Sequence, residues 1–257
     1  MSEQIELNGL GVRLYAVRLY NHDFLWFSSF EISKRASTAP LIHNFALSYA
    51  VSGYTYGIYG EGRPRYAEDL RAMPAYATPA LPEGVVRWTQ FTQNAINSVT
   101  LRTEGPKGIN SPALGWRVVL DPVWQGTGGF RFYVFTRGGF EGPRVMRLGK
   151  KGCPVRLEWD EIPEPVAVFT DRVTRPTHAV NPLDVQGEIV AYEPVAIPPH
   201  LILRVADIER DWFVFREKHR IHIPRRFTDA GWELPGVSAE AETRMERSRR
   251  GGKGSGA

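Results

Sequence analysis

"VRLYAVRLY", residues 12–20, alternates apolar and polar side chains, the period-two pattern of a strand half-buried in a sheet. The pattern returns in "FRFYVFT" (130–136) and "RIHIP" (220–224). Four short apolar runs, "WRVVL" (116–120), "PVAVF" (165–169), "GEIVAY" (187–192) and "LILRV" (201–205), suit buried strands. Between the first strand and the others lies "STAPLIHNFALSYAVSG" (37–53), the clearest helix signal in the chain. Thr38 is the expected cap, Pro40 fits the first turn and Gly53 the end. Leu41, Phe45 and Tyr49 form a four-residue apolar stripe flanked by Ile42, Ala46 and Ala50, which leaves His43 on the opposite face. The pattern predicts a strand-rich α+β domain with its first helix after its first strands.

The bulk properties narrow the function. The 257 residues suffice for a full core, and 42% hydrophobic with 23% charged residues is an ordinary globular composition. No apolar run approaches the roughly 20 residues of a membrane span, and "MSEQIELNG" is unlike a signal peptide, so a cytoplasmic location with no membrane partner is expected. The single cysteine, Cys153, excludes a disulfide framework and a multi-cysteine zinc site. His219 and His222 are three apart, an odd separation that sends them to opposite faces of a strand, so no metal and no cofactor is assigned.

Charge is clustered on a nearly neutral body. The net charge is +4, and residues 241–257 alone hold five Lys or Arg against two Glu. Arg131, Arg137, Arg144, Arg147, Lys150, Lys151 and Arg156 face one acid, Glu141, in the stretch 131–156. A second cluster, "REKHRIHIPRR" (216–226), has five cations, two histidines and one acid. Such clusters point to a polyanion groove. Within the first, "RLGKKG" sets Lys150 and Lys151 between Gly149 and Gly152, and Pro154 is expected to keep the segment out of a ladder. The glycines permit close backbone approach to a ligand, where amides and ammonium groups hold phosphates. A solvated turn has the same composition, and the nucleotide P-loop spacing is absent. Phe130, Phe132, Tyr133 and Phe135, beside Arg131 and Arg137, are mostly core positions of a strand. His22, where the first strand ends, and His43 have the chemistry of a ribonuclease pair, but a turn histidine and a hydrogen-bonding helix histidine fit the same positions.

Four stretches, "LYNHDFLWFSSFEI" (19–32), "LIHNFALSYAV" (41–51), "MRLGKKGCP" (146–154) and "NPLD" (181–184), occur in the order found in a known family. The chain resembles the small subunit of CRISPR type I-D Cascade that caps the five-prime end of the guide RNA, a handle-binding RAMP protein. The resemblance implies a ferredoxin-like, RRM-type core over residues 1–236 with added antiparallel strands and a β-hairpin thumb near 93–115. A basic tail, 237–257, is expected to be disordered. It further implies a noncatalytic subunit that binds the guide RNA handle, caps the backbone filament and lies near the target DNA's protospacer-adjacent motif. Its protein partners would be the repeated backbone subunit and the large subunit. The RNA-binding set becomes Arg144, Arg147, Gly149, Lys150, Lys151 and Gly152, with Arg131, Arg137, His22 and His43. The alternative is a metal-independent endoribonuclease acting on repeat RNA through His22 or His43 with Lys151.

Overall fold

The computed structural model describes residues 3–22, 25–27, 29–32, 35–53, 64–66, 69–70, 73–84, 86–93, 113–120, 129–149 and 152–225. Lys150, Lys151, the middle of the expected thumb (94–112) and the tail lie outside the described residues. In chain order the strands are β1 (Gln4–Glu6), β2 (Val12–Asn21), β3 (Phe30–Ile32), β4 (Arg35–Ser37), β5 (Ala75–Ala77), β6 (Leu81–Glu83), β7 (Val86–Gln93), β8 (Ala113–Leu120) and β9 (Gly129–Arg137). They continue as β10 (Val145–Leu148), β11 (Cys153–Ile162), β12 (Val166–Thr170), β13 (Glu188–Val195), β14 (Ile202–Glu209), β15 (Asp211–Arg216) and β16 (His219–His222). The helix α1 (Asn44–Ser52) follows β4. The protein is mostly β, with less helix than the α+β expectation implied.

The principal sheet has the order β10-β11-β2-β9-β5, with β6 also pairing β9, and all its pairings are antiparallel. A second sheet, β1-β12-β15-β16, packs on part of one face. The remaining sheets are β13-β14 and β3-β4-β8-β7. β7 and β8 run antiparallel from Val86↔Leu120 to Gln93↔Ala113, on either side of the segment expected to form the thumb.

β2 decides how the layers stack. It is two copies of Val-Arg-Leu-Tyr joined by Ala16, and their offset of five residues is odd. In a strand, an odd offset sends equivalent side chains to opposite faces. Val12 and Leu14 therefore pack with Leu7, Phe135, Trp212 and Val214 against the second sheet. Val17 and Leu19 pack with Phe132, Leu47 and Val51 on the helix side. The simple alternation expected for 12–20 thus changes phase at Ala16. β9 is buried on both faces for the same reason: Phe130, Phe132 and Val134 face the helix, whereas Tyr133 and Phe135 face the second sheet.

α1 is shorter than expected. Its cap is His43, not Thr38, with Nδ1 accepting from Phe45 N–H at 3.1 Å. Thr38 exchanges hydrogen bonds with the backbone of Phe27 instead, and Pro40 stands outside the helix. Ile42 is held in an extended bridge to Ala80, so helical dihedrals begin only after His43. Gly53 closes the helix in the left-handed region at φ 61°. Phe45 and Tyr49 bury in one cluster, and Leu47 and Val51 in another, so packing on two sides holds the helix. His43 is buried with them rather than turned away.

Two further expectations fail locally. Pro154 lies inside β11, opposite Arg147. Its carbonyl faces His22, whose N–H donates to it at 2.9 Å, so the missing proline N–H falls on that same side, where β2 ends. β13 is mostly exposed, not buried, because it pairs only with β14 among the described residues. "NPLD" forms a short 3-10 turn whose Asp184 accepts from Tyr76 and Asn44 in the interior, while Asn181 Nδ2 donates to Asn44 Oδ1.

Candidate nucleic-acid interface

The segment from β10 to β11 turns back on itself at the end of the principal sheet where β2 finishes and β9 begins. Gly149 has φ 79° and Gly152 φ 63°, both left-handed. Gly152 N–H donates to Gly149 O at 3.0 Å, and Arg147 Nη1 donates to Gly152 O at 2.9 Å, so the flanks of the turn are fastened to each other. A Cβ on Gly149 would stand 2.6 Å from the carbonyl oxygen of Trp26. The glycine is therefore required first by the protein's own packing, a reason different from the ligand approach inferred from sequence. A Cβ on Gly152 would meet the flexible Arg147 side chain, whose Cδ is nearest at 3.6 Å. Cys153, next in the chain, is a buried packing residue.

The other expected residues divide into two groups. Arg147, Gly149, Gly152 and His22 gather at this end of the sheet, with His22 exposed and tied through its backbone N–H to Pro154, whereas Arg131, level with Arg18 and Glu158, stands about 25 Å from the turn by strand order and register. Arg144 is exposed at the start of β10, and its carbonyl accepts from Leu157. Arg137 is opposite Val12, at the far end of β9, about 20 Å along the strand from Arg131. His43 is enclosed by Phe45 and His200, with ring centroids 5.0 and 5.2 Å away. Burial, reinforced by the neighbouring imidazole, pushes its pKa down to about 3, so it is neutral and shielded from solvent.

The two cation clusters of the sequence meet in space. Arg131 Nη1 pairs with Glu83 at 2.9 Å, and its Nη2 lies 2.8 Å from His219 Nδ1. The Tyr133 hydroxyl is 2.9 Å from the same nitrogen. Partial burial and the Arg131 charge lower the His219 pKa. Burial is the largest single influence on Arg131 and opposes its charge, but the hydrogen bond to Glu83 and the interactions with Tyr133 and the Glu83 charge together outweigh it, and its pKa is raised. Arg131 is thus partly committed within the fold.

Sequence reading missed the exposed half of this sheet face. Cross-strand register places Arg131, Arg18 and Glu158 in one row, and Tyr20, Arg156 and Val145 in the next. Arg147 and Pro154 complete the face. Arg18 and Arg156 are 57% and 51% exposed along their side chains. The spacing of Arg18 and Tyr20 in β2 was visible in the sequence, but their cross-strand partner β11 was not recognised as a strand.

The family model for the type I-D CRISPR-associated protein Cas5/Csc1 matches residues 12–229. The chain belongs to that family, and so is a Cas5-type RAMP subunit of the type I-D CRISPR surveillance complex. No curated protein matches the chain. A solved chain from a type III-B Cmr-β complex bound to cognate target RNA and AMPPnP aligns at 11% identity with a TM-score of 0.45, covering 91% of this chain and 93% of that one.

Proposed function

We propose that this subunit is a noncatalytic RNA-binding cap: it holds the five-prime handle of the guide RNA at the 149–152 turn, begins the backbone filament and lies near the protospacer-adjacent motif of the target. The observation that carries this reading is the fastened turn itself. In a chain of this family, a basic glycine-flanked turn is packed against the Trp26 carbonyl and fastened by Arg147 at the end of the sheet where Arg156 and His22 also stand. The order β11-β2-β9-β5, with α1 between β2 and β5 in the chain, supports a ferredoxin-like core. The β7–β8 pair supports a thumb built across 93–115.

The burial of His43 and the use of its Nδ1 as a helix cap disfavour it as the acid or base of a ribonuclease. The test is binding of labelled handle RNA to the purified chain or the reconstituted complex across a salt series. Replacing Lys150 and Lys151 together by Ala should weaken binding and lower the magnitude of the salt slope by about 1.4, roughly 0.7 per phosphate contact on a single strand. Unchanged affinity and slope would remove the turn from the RNA path. A discrete cleavage product without metal would replace the cap by the endoribonuclease.

A further inference from the structure

The exposed half of the principal sheet carries an arrangement that the turn does not use. The Arg156 guanidinium lies over the Tyr20 ring, with Cζ 4.9 Å from the centroid. Glu158 orients both: the Tyr20 hydroxyl donates to its Oε2 at 3.0 Å, and Arg156 Nη2 to its Oε1 at 3.0 Å. Burial and the Glu158 carboxylate raise the Tyr20 pKa, so the hydroxyl stays protonated to make that bond. Val145, opposite Arg156 on β10, is 66% exposed, leaving an apolar surface beside the guanidinium. Arg147 and Arg18 stand on either side, two strands apart and offset by four residues along β11, an interval of about 16 Å. Arg18, Arg131, Arg147 and Arg156 share this face, among the described residues, with Glu83, Glu158 and, one row on, Asp160, so its balance remains positive.

We infer that Tyr20 and Arg156 form a base-stacking platform for single-stranded RNA, flanked by phosphate contacts at Arg18 and Arg147. Planar guanidinium and aromatic groups stack on unpaired bases. Glu158 neutralises much of the Arg156 charge, making the pair a poor phosphate clamp while keeping its plane fixed. Its contribution therefore comes from the bases and is nearly independent of salt, whereas Arg18 and Arg147 supply the salt-dependent share. The platform deepens the RNA-binding reading and rests on it.

The test compares wild type with Arg156→Lys, which keeps the charge and loses the plane, and with Tyr20→Leu, which loses the ring. The probes are a short labelled single-stranded RNA and the same backbone carrying abasic residues. Arg156→Lys should bind the intact RNA about tenfold more weakly, with an unchanged salt slope and a melting temperature within about 2 °C of wild type. On abasic RNA the two proteins should bind alike. Tyr20→Leu should behave as Arg156→Lys does; if it does not fold, Arg156→Lys carries the test alone. Wild-type affinity for intact RNA in Arg156→Lys overturns the platform but leaves the turn in place. So does a loss that persists on abasic RNA, or a defect confined to assembly with protein subunits. Absence of RNA binding by the wild-type protein and its complex overturns both readings.

Discussion

Lowering the pH from about 7.5 to about 5 should destabilise the fold by about 4 kcal/mol through two buried imidazoles alone. His43 and His178 each have a pKa pushed from 6.5 down to about 3, with burial the largest cause. His43 faces His200. His178 faces the Tyr133 ring and His222, which in turn bonds Asp211. His178 Nε2 accepts the His222 N–H at 3.0 Å, and its Nδ1–H donates to Ala179 O at 2.7 Å, so the ring is held neutral. Between pH 6.5 and 3 the unfolded chain binds a proton at each site and the native chain does not. Stability is therefore complete above the unfolded pKa and falls as pH drops below it. Each histidine costs about 2 kcal/mol at pH 5 relative to pH 7.5, and the pair should lower the melting temperature by roughly 8–16 °C. Thermal melts at constant ionic strength measure this above the range where most carboxylates titrate. His43→Asn retains a side-chain acceptor at the helix cap and removes one titrating group, so the acid slope should fall by about half. A melting temperature flat across this range, or an undiminished slope in His43→Asn, would refute the reasoning.

Gly149→Ala should cost more than Gly152→Ala in chemical denaturation: both incur roughly 1–2 kcal/mol for left-handed backbone, but only Gly149 meets the Trp26 carbonyl. Equal losses would show that Trp26 yields freely. Phe45→Ala should cost about 3–5 kcal/mol, since the ring is 1% exposed among Tyr66, His200 and His43, and a thermally silent variant would contradict that packing.

The strands most legible in sequence were those whose burial follows from their own residues. β9, β12 and β14 had enough apolar content to be found without knowing their neighbours. β11 was missed although Leu157, Trp159 and Ile162 lie along it, because Gly152 and Pro154 read as turn punctuation. Pro154 is accommodated by where β2 ends, a fact of long-range register. The start of α1 was misplaced for a similar reason. Thr38 is a better cap than His43 by type, but pairing of Ile42 with Ala80 overrides that preference. At the site, the basic glycine-flanked turn was legible as composition. The Tyr20–Arg156–Glu158 triangle was not, since Tyr20 and Glu158 are 138 positions apart and meet only once β2 and β11 are aligned.

The phase change at Ala16 also governs how the protein comes apart. A strand that contributes Val12 and Leu14 to one core and Val17 and Leu19 to another cannot leave either without opening both. β9 has the same double membership through Phe132 and Phe135. The helix layer and the second sheet are thereby joined into one cooperative unit, and the amides of β2 and β9 should exchange with solvent only through global opening. β10 pairs only with β11 among the described residues and can open at lower cost, so the segment leading into the basic turn can move while the strands behind it remain closed.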